Sequence, residues 1–322
     1  MFIRCLVLWL LLAMSIASGA LASGSLGGPA FSPSTETVDS DKDWDQKPFQ
    51  HESDDAAADL VVIINQQFDD RLRPVIAEFA RQNNLHIKVH KGTCGLSAGA
   101  LLAKTVEIVS FCCPPGDIDR LPGLSFHTLG IYPVAILVHP DNPTTDLPWT
   151  TVQQIFSGKM QRWSELGWQN LPIQPVIRLH CKKRPGHWRL LLDNQDLFSA
   201  HAREVGAIDD MYALVAELPG AIGYEVNEGV HSSKTRALRI DGMEANNLEH
   251  LRRGAYPFYR VMTLTLWAGD GENFSQSRKL LERLTTYVEA NAARLGVVPA
   301  SQLRAAGWDF SGGELIGQPT KP

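Results

Sequence analysis

The sequence predicts an α/β fold, because runs typical of buried strands alternate with helical patterns from residue 60 onward. The continuous apolar run Leu60–Ile64 is typical of a buried parallel strand, and residues 72–79 carry apolar side chains at helical spacing. Residues 86–90 alternate like a strand, and the glycine-rich stretch 92–99 opens a small-residue helix that continues to residue 104. Residues 106–110 are strand-like again, so this part of the chain is predicted to be βαβαβ.

The second half continues the alternation after a break. Residues 132–139 are predicted to be a buried strand, and Asp141-Asn142-Pro143 ends it before a helix that begins at Trp149. We expect a second lobe to begin in this region. The remaining predicted strands are residues 173–179, 221–224, 238–240 and 259–267, and the remaining predicted helices are residues 188–192, 211–217 and 275–292.

Length and composition narrow the class of protein. The chain has 322 residues, with 30 Lys and Arg against 35 Asp and Glu and 44% hydrophobic residues. Such a length accommodates one large domain or two ordinary ones. Because there is no surplus of positive charge, nucleic acid is not expected as a partner.

The N-terminus has the pattern of a secretory signal. Arg4 precedes the apolar run Cys5–Ile16, and small residues with the triplet Ala20-Leu21-Ala22 follow. We expect cleavage after Ala22, a soluble mature chain in the periplasm, and a flexible leader over residues 23–58 that lies outside any core. An uncleaved membrane anchor is the alternative.

Several local patterns occur in an order that is specific when they are taken together. They are residues 92–99, 106–110, 138–143, 155–158 with 163–167, 175–178, 220–224 and 256–260. In this order and approximate spacing, residues 60–259 resemble the phosphate-type periplasmic binding proteins of ABC transporters. Cys- and Lys-rich stretches distinguish this chain from the family pattern.

The resemblance implies a type II periplasmic binding protein fold. Each lobe would be a mostly parallel sheet flanked by helices, with the ligand in the cleft between the lobes. Residues 59–137 and 256–315 would form the first lobe, and residues 138–250 the second. The implied function is capture of a small oxyanion, phosphate first, by lobe closure for an ABC permease. We expect a monomer without catalytic activity.

In the family, the anion is held by loops after successive strands, which here are residues 65–69, 92–97, 110–113 and the stretch that begins with Arg178. A guanidinium can grip two oxygens of an anion at once, so Arg178 is the first candidate. The full set of candidate ligand residues is Gln66, Gln67, Thr93, Cys94, Gly95, Ser97, Ser110, Cys112, Arg178, Lys182, Lys183 and Arg184.

These loops depart from the family pattern, and cysteines recur in the departures. Three hypotheses for the role of these cysteines remain open. Cys94 could form a disulfide with Cys112 or Cys113, as the periplasm allows. A copper or zinc site for metal handling, sensing or redox chemistry could use Cys94, Cys112, Cys113, Cys181, His180 and His187. Alternatively, buried thiols shape a pocket whose anion is held by Arg178, Lys182, Lys183 and Arg184.

An enzyme is the less favoured class. Cys181 with His180 or His187 is the only local pairing of a nucleophile with a base. The sequence contains no His-Glu-x-x-His helix of the metalloprotease kind.

Overall fold

The computed structural model describes residues 31, 43–44, 47–179, 190–192, 195–226, 234–269 and 271–319. The strands are β1 Leu60–Asn65, β2 Ile87–Gly92, β3 Ile108–Phe111, β4 Leu124–Val138, β5 Asp146–Leu147, β6 Gln174–Ile177, β7 Arg203–Glu204, β8 Ala221–Val226, β9 Arg236–Ile240, β10 Tyr259–Trp267, β11 Val298–Pro299, β12 Asp309–Ser311 and β13 Glu314–Gly317. The helices are α1 Asp69–Asn83, α2 Cys94–Ala103, α3 Trp149–Phe156, α4 Ile208–Glu217, α5 Leu248–Arg252, α6 Glu272–Leu295 and α7 Ala300–Ala305.

The α/β class is confirmed, and the sheet is mixed. Its main strand order is β2-β1-β3-β10-β4-β8-β6-β7. Strands β1, β2 and β3 pair in parallel, as do β6, β7 and β8. Antiparallel pairing joins these two parallel groups, because β10 runs opposite to β3 and β4, and β4 runs opposite to β8.

Strand β4 connects the two lobes. Its residues 124–133 pair with β10, and its residues 134–138 pair with β8. Two hydrophobic cores flank this change of partner: one is built on β1, β3, α1 and α6, and the other on β6, β8, α3 and α4. The division into segments 59–137, 138–250 and 256–315 stays a prediction.

Strand β4 is also longer than predicted. Apolar continuity predicts a strand from Tyr132, whereas the strand begins at Leu124. Ser125, His127 and Thr128 interrupt the apolar run, but each of the three pairs with a residue of the partner strand β10. Pairing with a neighbour therefore extends the strand beyond its local signal.

The end of the predicted leader differs from the expectation of a segment outside the core. Trp44 is buried in the first core and donates a hydrogen bond from Nε1 to the carbonyl of Leu102 at 2.8 Å. His51 Nε2 lies 2.9 Å from a carboxylate oxygen of the buried Glu107. The signal segment 1–22 and the first part of the leader, apart from Phe31, lie outside the described residues. Within the described ranges, no helix is both long and apolar enough to cross a membrane.

Candidate functional site

The ends of β1 and β3 and the start of α2 meet through buried polar contacts. The backbone N–H of Asn65 donates to Ser110 Oγ at 2.5 Å, and Asn65 Nδ2 lies 3.7 Å from Cys94 Sγ. Ser97 Oγ donates to the carbonyl of Ser110 at 3.2 Å. Thr93 caps α2 by accepting from the N–H of Leu96 at 3.4 Å. The predicted loops therefore converge, and their hydroxyl groups hold the loops to one another.

Two of the other predicted residues in these loops differ in exposure. Gln66 is half-buried, and its backbone N–H donates to the carbonyl of Gly92 at 3.0 Å. Gly95 is exposed and lines an outer cavity together with His90 and Leu96. Gly95 therefore lies on the side of α2 that faces away from the buried polar contacts.

A buried cluster of three charges lies where β4 changes partners. Arg178 follows the end of β6, Glu225 is in β8 and Arg260 is in β10, and their side chains have no exposed surface. Arg178 Nη1 donates to Glu225 Oε2, and Arg260 Nη2 donates to Glu225 Oε1 at 3.3 Å. A single carboxylate thus joins two guanidinium groups.

Tyr224 and Gly206 hold Arg178 in this position. Tyr224 Oη accepts from the N–H of Arg178 at 3.0 Å and donates to its carbonyl at 3.1 Å. Arg178 Nη2 donates to the carbonyl of Gly206 at 3.3 Å. The backbone and the guanidinium of Arg178 are both anchored, so the direction of its side chain is determined.

Gln67 links the first core to the same carboxylate. Its Nε2 donates to Glu225 Oε1 at 3.0 Å, and Tyr132 Oη donates to Gln67 Oε1. The N–H of Val226 donates to Glu225 Oε1 at 2.9 Å. Burial by itself raises the pKa of Glu225, but the charges of Arg260 and Arg178 outweigh burial and hold that pKa below its usual value. Glu225 is therefore ionised at neutral pH.

The cluster has more positive than negative charge. It combines two guanidinium groups with one carboxylate, and burial withholds water from all three. The Nε atoms of Arg178 and Arg260 are buried and have no hydrogen-bond partner among the described residues. A buried donor without a partner is costly, so the arrangement favours an additional anion at this place.

Three buried cysteines lie near this cluster. The Sγ atoms of Cys94 and Cys112 are 3.4 Å apart, and Arg260 Nη1 lies 3.5 Å from Cys112 Sγ. Cys94, Cys112 and Cys113 are thiols here. Among the described residues, no three His, Cys, Asp or Glu side chains are grouped so that they could hold a metal ion. His180, Cys181, Lys182, Lys183, Arg184 and His187 lie outside the described residues.

Sequence reasoning selected Arg178 and Gln67 from this cluster and missed Glu225, Arg260 and Tyr132. The sequence did contain a local signal that Glu225 and Arg260 are unusual. Glu225 and Arg260 are single charged residues within apolar strands, and a charge in a buried strand needs a partner. The partner of each could not be read from the sequence.

Two α/β lobes that meet at a buried cluster of charges are the architecture of the two-lobed periplasmic binding protein fold. Residues 50–266 match the PBP superfamily domain, and the chain belongs to that superfamily.

Individual relatives agree with this assignment. The chain is 26% identical over 187 residues to the phosphate-binding protein PstS of Bacillus subtilis, a match that covers 56% of this chain and 61% of that protein. The fold is similar to an ABC-type phosphate transport receptor from Vibrio cholerae, with a TM-score of 0.59, 18% identity, and coverage of 74% of this chain and 99% of the other. A putative phosphate ABC transporter substrate-binding protein from Clostridium perfringens gives a TM-score of 0.64 at the same identity and coverage. The resemblance stated from the sequence is confirmed.

Proposed function

We propose that this protein captures a small oxyanion, phosphate first, between its two lobes. The observation that carries the proposal is the convergence of two fully buried arginines, Arg178 and Arg260, whose Nε donors have no partner among the described residues. Guanidinium groups bind phosphate and related oxyanions through directed, charge-assisted hydrogen bonds. The similarity to the phosphate-binding protein of Bacillus subtilis supports phosphate as the first ligand to test.

The predicted ligand set needs revision within this proposal. Ser97 and Ser110 are engaged in bonds between loops, so we assign them the role of holding the site together. Arg178, Arg260 and Gln67 are the described side chains best placed to contact an anion. Cys94 and Cys112 would shape the pocket beside Arg260.

The proposal extends to the setting in which the protein acts. We propose that the protein is exported through the signal segment 1–22 and acts outside the cytoplasm as a monomer. The similarity to phosphate transport proteins supports delivery of the anion to an ABC permease. Binding with lobe closure, and not catalysis, is the proposed activity. Cys94 and Cys112 are two adjacent thiols, fewer donors than a zinc site needs, and the described residues contain no group of three metal donors that would support a zinc site.

Isothermal titration calorimetry tests the proposal on protein that lacks residues 1–22. The protein is unfolded, dialysed and refolded to remove bound anions, and then titrated with phosphate and with sulfate. We expect saturable binding of one phosphate per chain. Arg178→Lys keeps the charge beside Glu225 but loses the planar fork, so phosphate affinity should fall about 100-fold.

The matched control is Arg252→Lys, because Arg252 forms a surface pair with Glu249 and lies outside the cluster. Its phosphate affinity should equal that of the wild type. Failure of the refolded wild-type protein to bind phosphate or any other oxyanion would overturn the proposal.

A further inference from the structure

Glu225 accepts hydrogen bonds from the two guanidinium groups that an anion in this cluster would need. Its Oε2 accepts from Arg178 and its Oε1 accepts from Arg260 at 3.3 Å, so each carboxylate oxygen uses one guanidinium. The carboxylate lies at the crossing between the lobes. In β4, Tyr132 pairs with Arg260 and Ala135 pairs with Glu225, on either side of the point where the strand changes partners.

From these contacts we propose that Glu225 is an internal competitor for the anion site, a carboxylate that holds both arginines until an anion displaces it. Glu225 thereby determines how strongly an anion must interact with the two arginines in order to bind. This inference rests on the proposed function. It assigns to Glu225 a role opposite to that of a ligand-binding side chain, because removal of its charge should strengthen anion binding.

The remaining contacts of Glu225 explain how displacement can occur without loss of the fold. Gln67 Nε2 and the N–H of Val226 donate to Oε1 at 3.0 and 2.9 Å, and neither donor belongs to an arginine. Glu225 can therefore keep two hydrogen bonds while its contacts with Arg178 and Arg260 are transferred to the anion. The two Nε donors without partners would add further bonds to the anion that the carboxylate does not accept.

A carboxylate and an anion beside the same two arginines also repel each other. Like charges at short range in a buried site cost free energy, since water does not screen them. An anion therefore binds only if the free energy of its contacts with the arginines exceeds that of the Glu225–arginine contacts that are lost. The affinity of the wild type is then lower than the two arginines alone would allow.

Titration calorimetry with inorganic phosphate on Glu225→Gln and on the wild type tests this inference. The amide has nearly the shape of the carboxylate but no charge, so it cannot hold two guanidinium groups. We expect phosphate to bind at least about tenfold more tightly to the variant, as expected when a buried charge pair is removed from competition. The matched control is Glu314→Gln. Glu314 also forms a buried ion pair, in which Arg120 Nη1 donates to Glu314 Oε2 at 2.9 Å, but this pair does not belong to the cluster. Its phosphate affinity should be that of the wild type.

The outcomes separate this inference from the proposed function. Tighter binding by Glu225→Gln supports the inference, including the case in which only the variant binds measurably. Equal or weaker binding by the variant overturns the inference and leaves phosphate capture by the wild type intact. If neither protein binds phosphate, both proposals fail.

Loss of Glu225 leaves two buried arginines without their carboxylate, which destabilises the variant in the absence of an anion. Thermal unfolding provides a second measurement that does not depend on titrating the anion-free variant. If Glu225 competes with the anion, phosphate should raise the thermal unfolding midpoint of Glu225→Gln more than that of the wild type. Chloride at equal ionic strength should not have this effect. Glu225→Asp retains the charge on a shorter side chain and should have an intermediate phosphate affinity. An affinity of the aspartate variant at or below the wild-type value would contradict the inference.

Discussion

Replacement of Arg178 by Met tests the energetic role of the buried cluster. The substitution removes the guanidinium that pairs with Glu225 Oε2 and donates to the carbonyl of Gly206, at a position with no exposed surface. Removing one partner of a buried ion pair costs roughly 3–5 kcal/mol. Arg260 still lies 3.3 Å from Oε1, so we expect the lower end, about 3 kcal/mol.

Urea unfolding followed by tryptophan fluorescence and by circular dichroism measures this loss. In a thermal scan, a loss of about 3 kcal/mol should lower the midpoint by roughly 5 °C in a chain of this size, because the unfolding entropy grows with the number of residues. Arg252→Met is the control, because the pair between Arg252 and Glu249 lies at the surface and its loss should be undetectable. A loss below about 1 kcal/mol for Arg178→Met would refute the reasoning.

The double variant Arg178→Met, Glu225→Leu adds a second test of the same reasoning. Apolar residues that replace both members of a buried pair often restore stability, because no uncompensated charge remains. Arg260 stays buried and loses its carboxylate in this variant, so the recovery should be partial. A double variant as unstable as the sum of the two single changes would contradict coupling between Arg178 and Glu225.

Two further predictions concern the thiols and a half-buried histidine. Because Cys94 Sγ and Cys112 Sγ are 3.4 Å apart, refolding with oxidised glutathione should form a Cys94–Cys112 disulfide, and peptide mapping that finds a bridge to Cys113 would contradict this. Burial lowers the pKa of His127, so the fold favours its neutral form. Its contribution to stability is present above the unfolded pKa of about 6.5 and is lost as pH falls through the lower folded value. Urea midpoints measured from pH 7.5 to 5 should therefore decrease more for the wild type than for His127→Gln, and equal decreases would contradict the assignment.

Most strands and helices could be located from local sequence patterns. Strand β10 occupies Tyr259–Trp267, as its apolar run predicts, and β1 and α1 follow the apolar periodicities of residues 60–64 and 72–79. These signals are local, because each depends on which side chains of one short segment can be buried together. The superfamily was also readable from the sequence, since the order of short motifs survives where overall identity is low.

The composition of the site, in contrast, depends on contacts between distant parts of the chain. Glu225 contacts Gln67 from 158 positions away along the chain and Arg178 from 47 positions away. The hydroxyl of Ser110 could have faced a ligand, but it accepts the N–H of Asn65 and so holds two loops together. A charge inside an apolar strand shows that a partner is required, whereas the register of β4, β8 and β10 selects the partner. Local patterns carry no information about that register, which depends on how distant strands pack around the two cores.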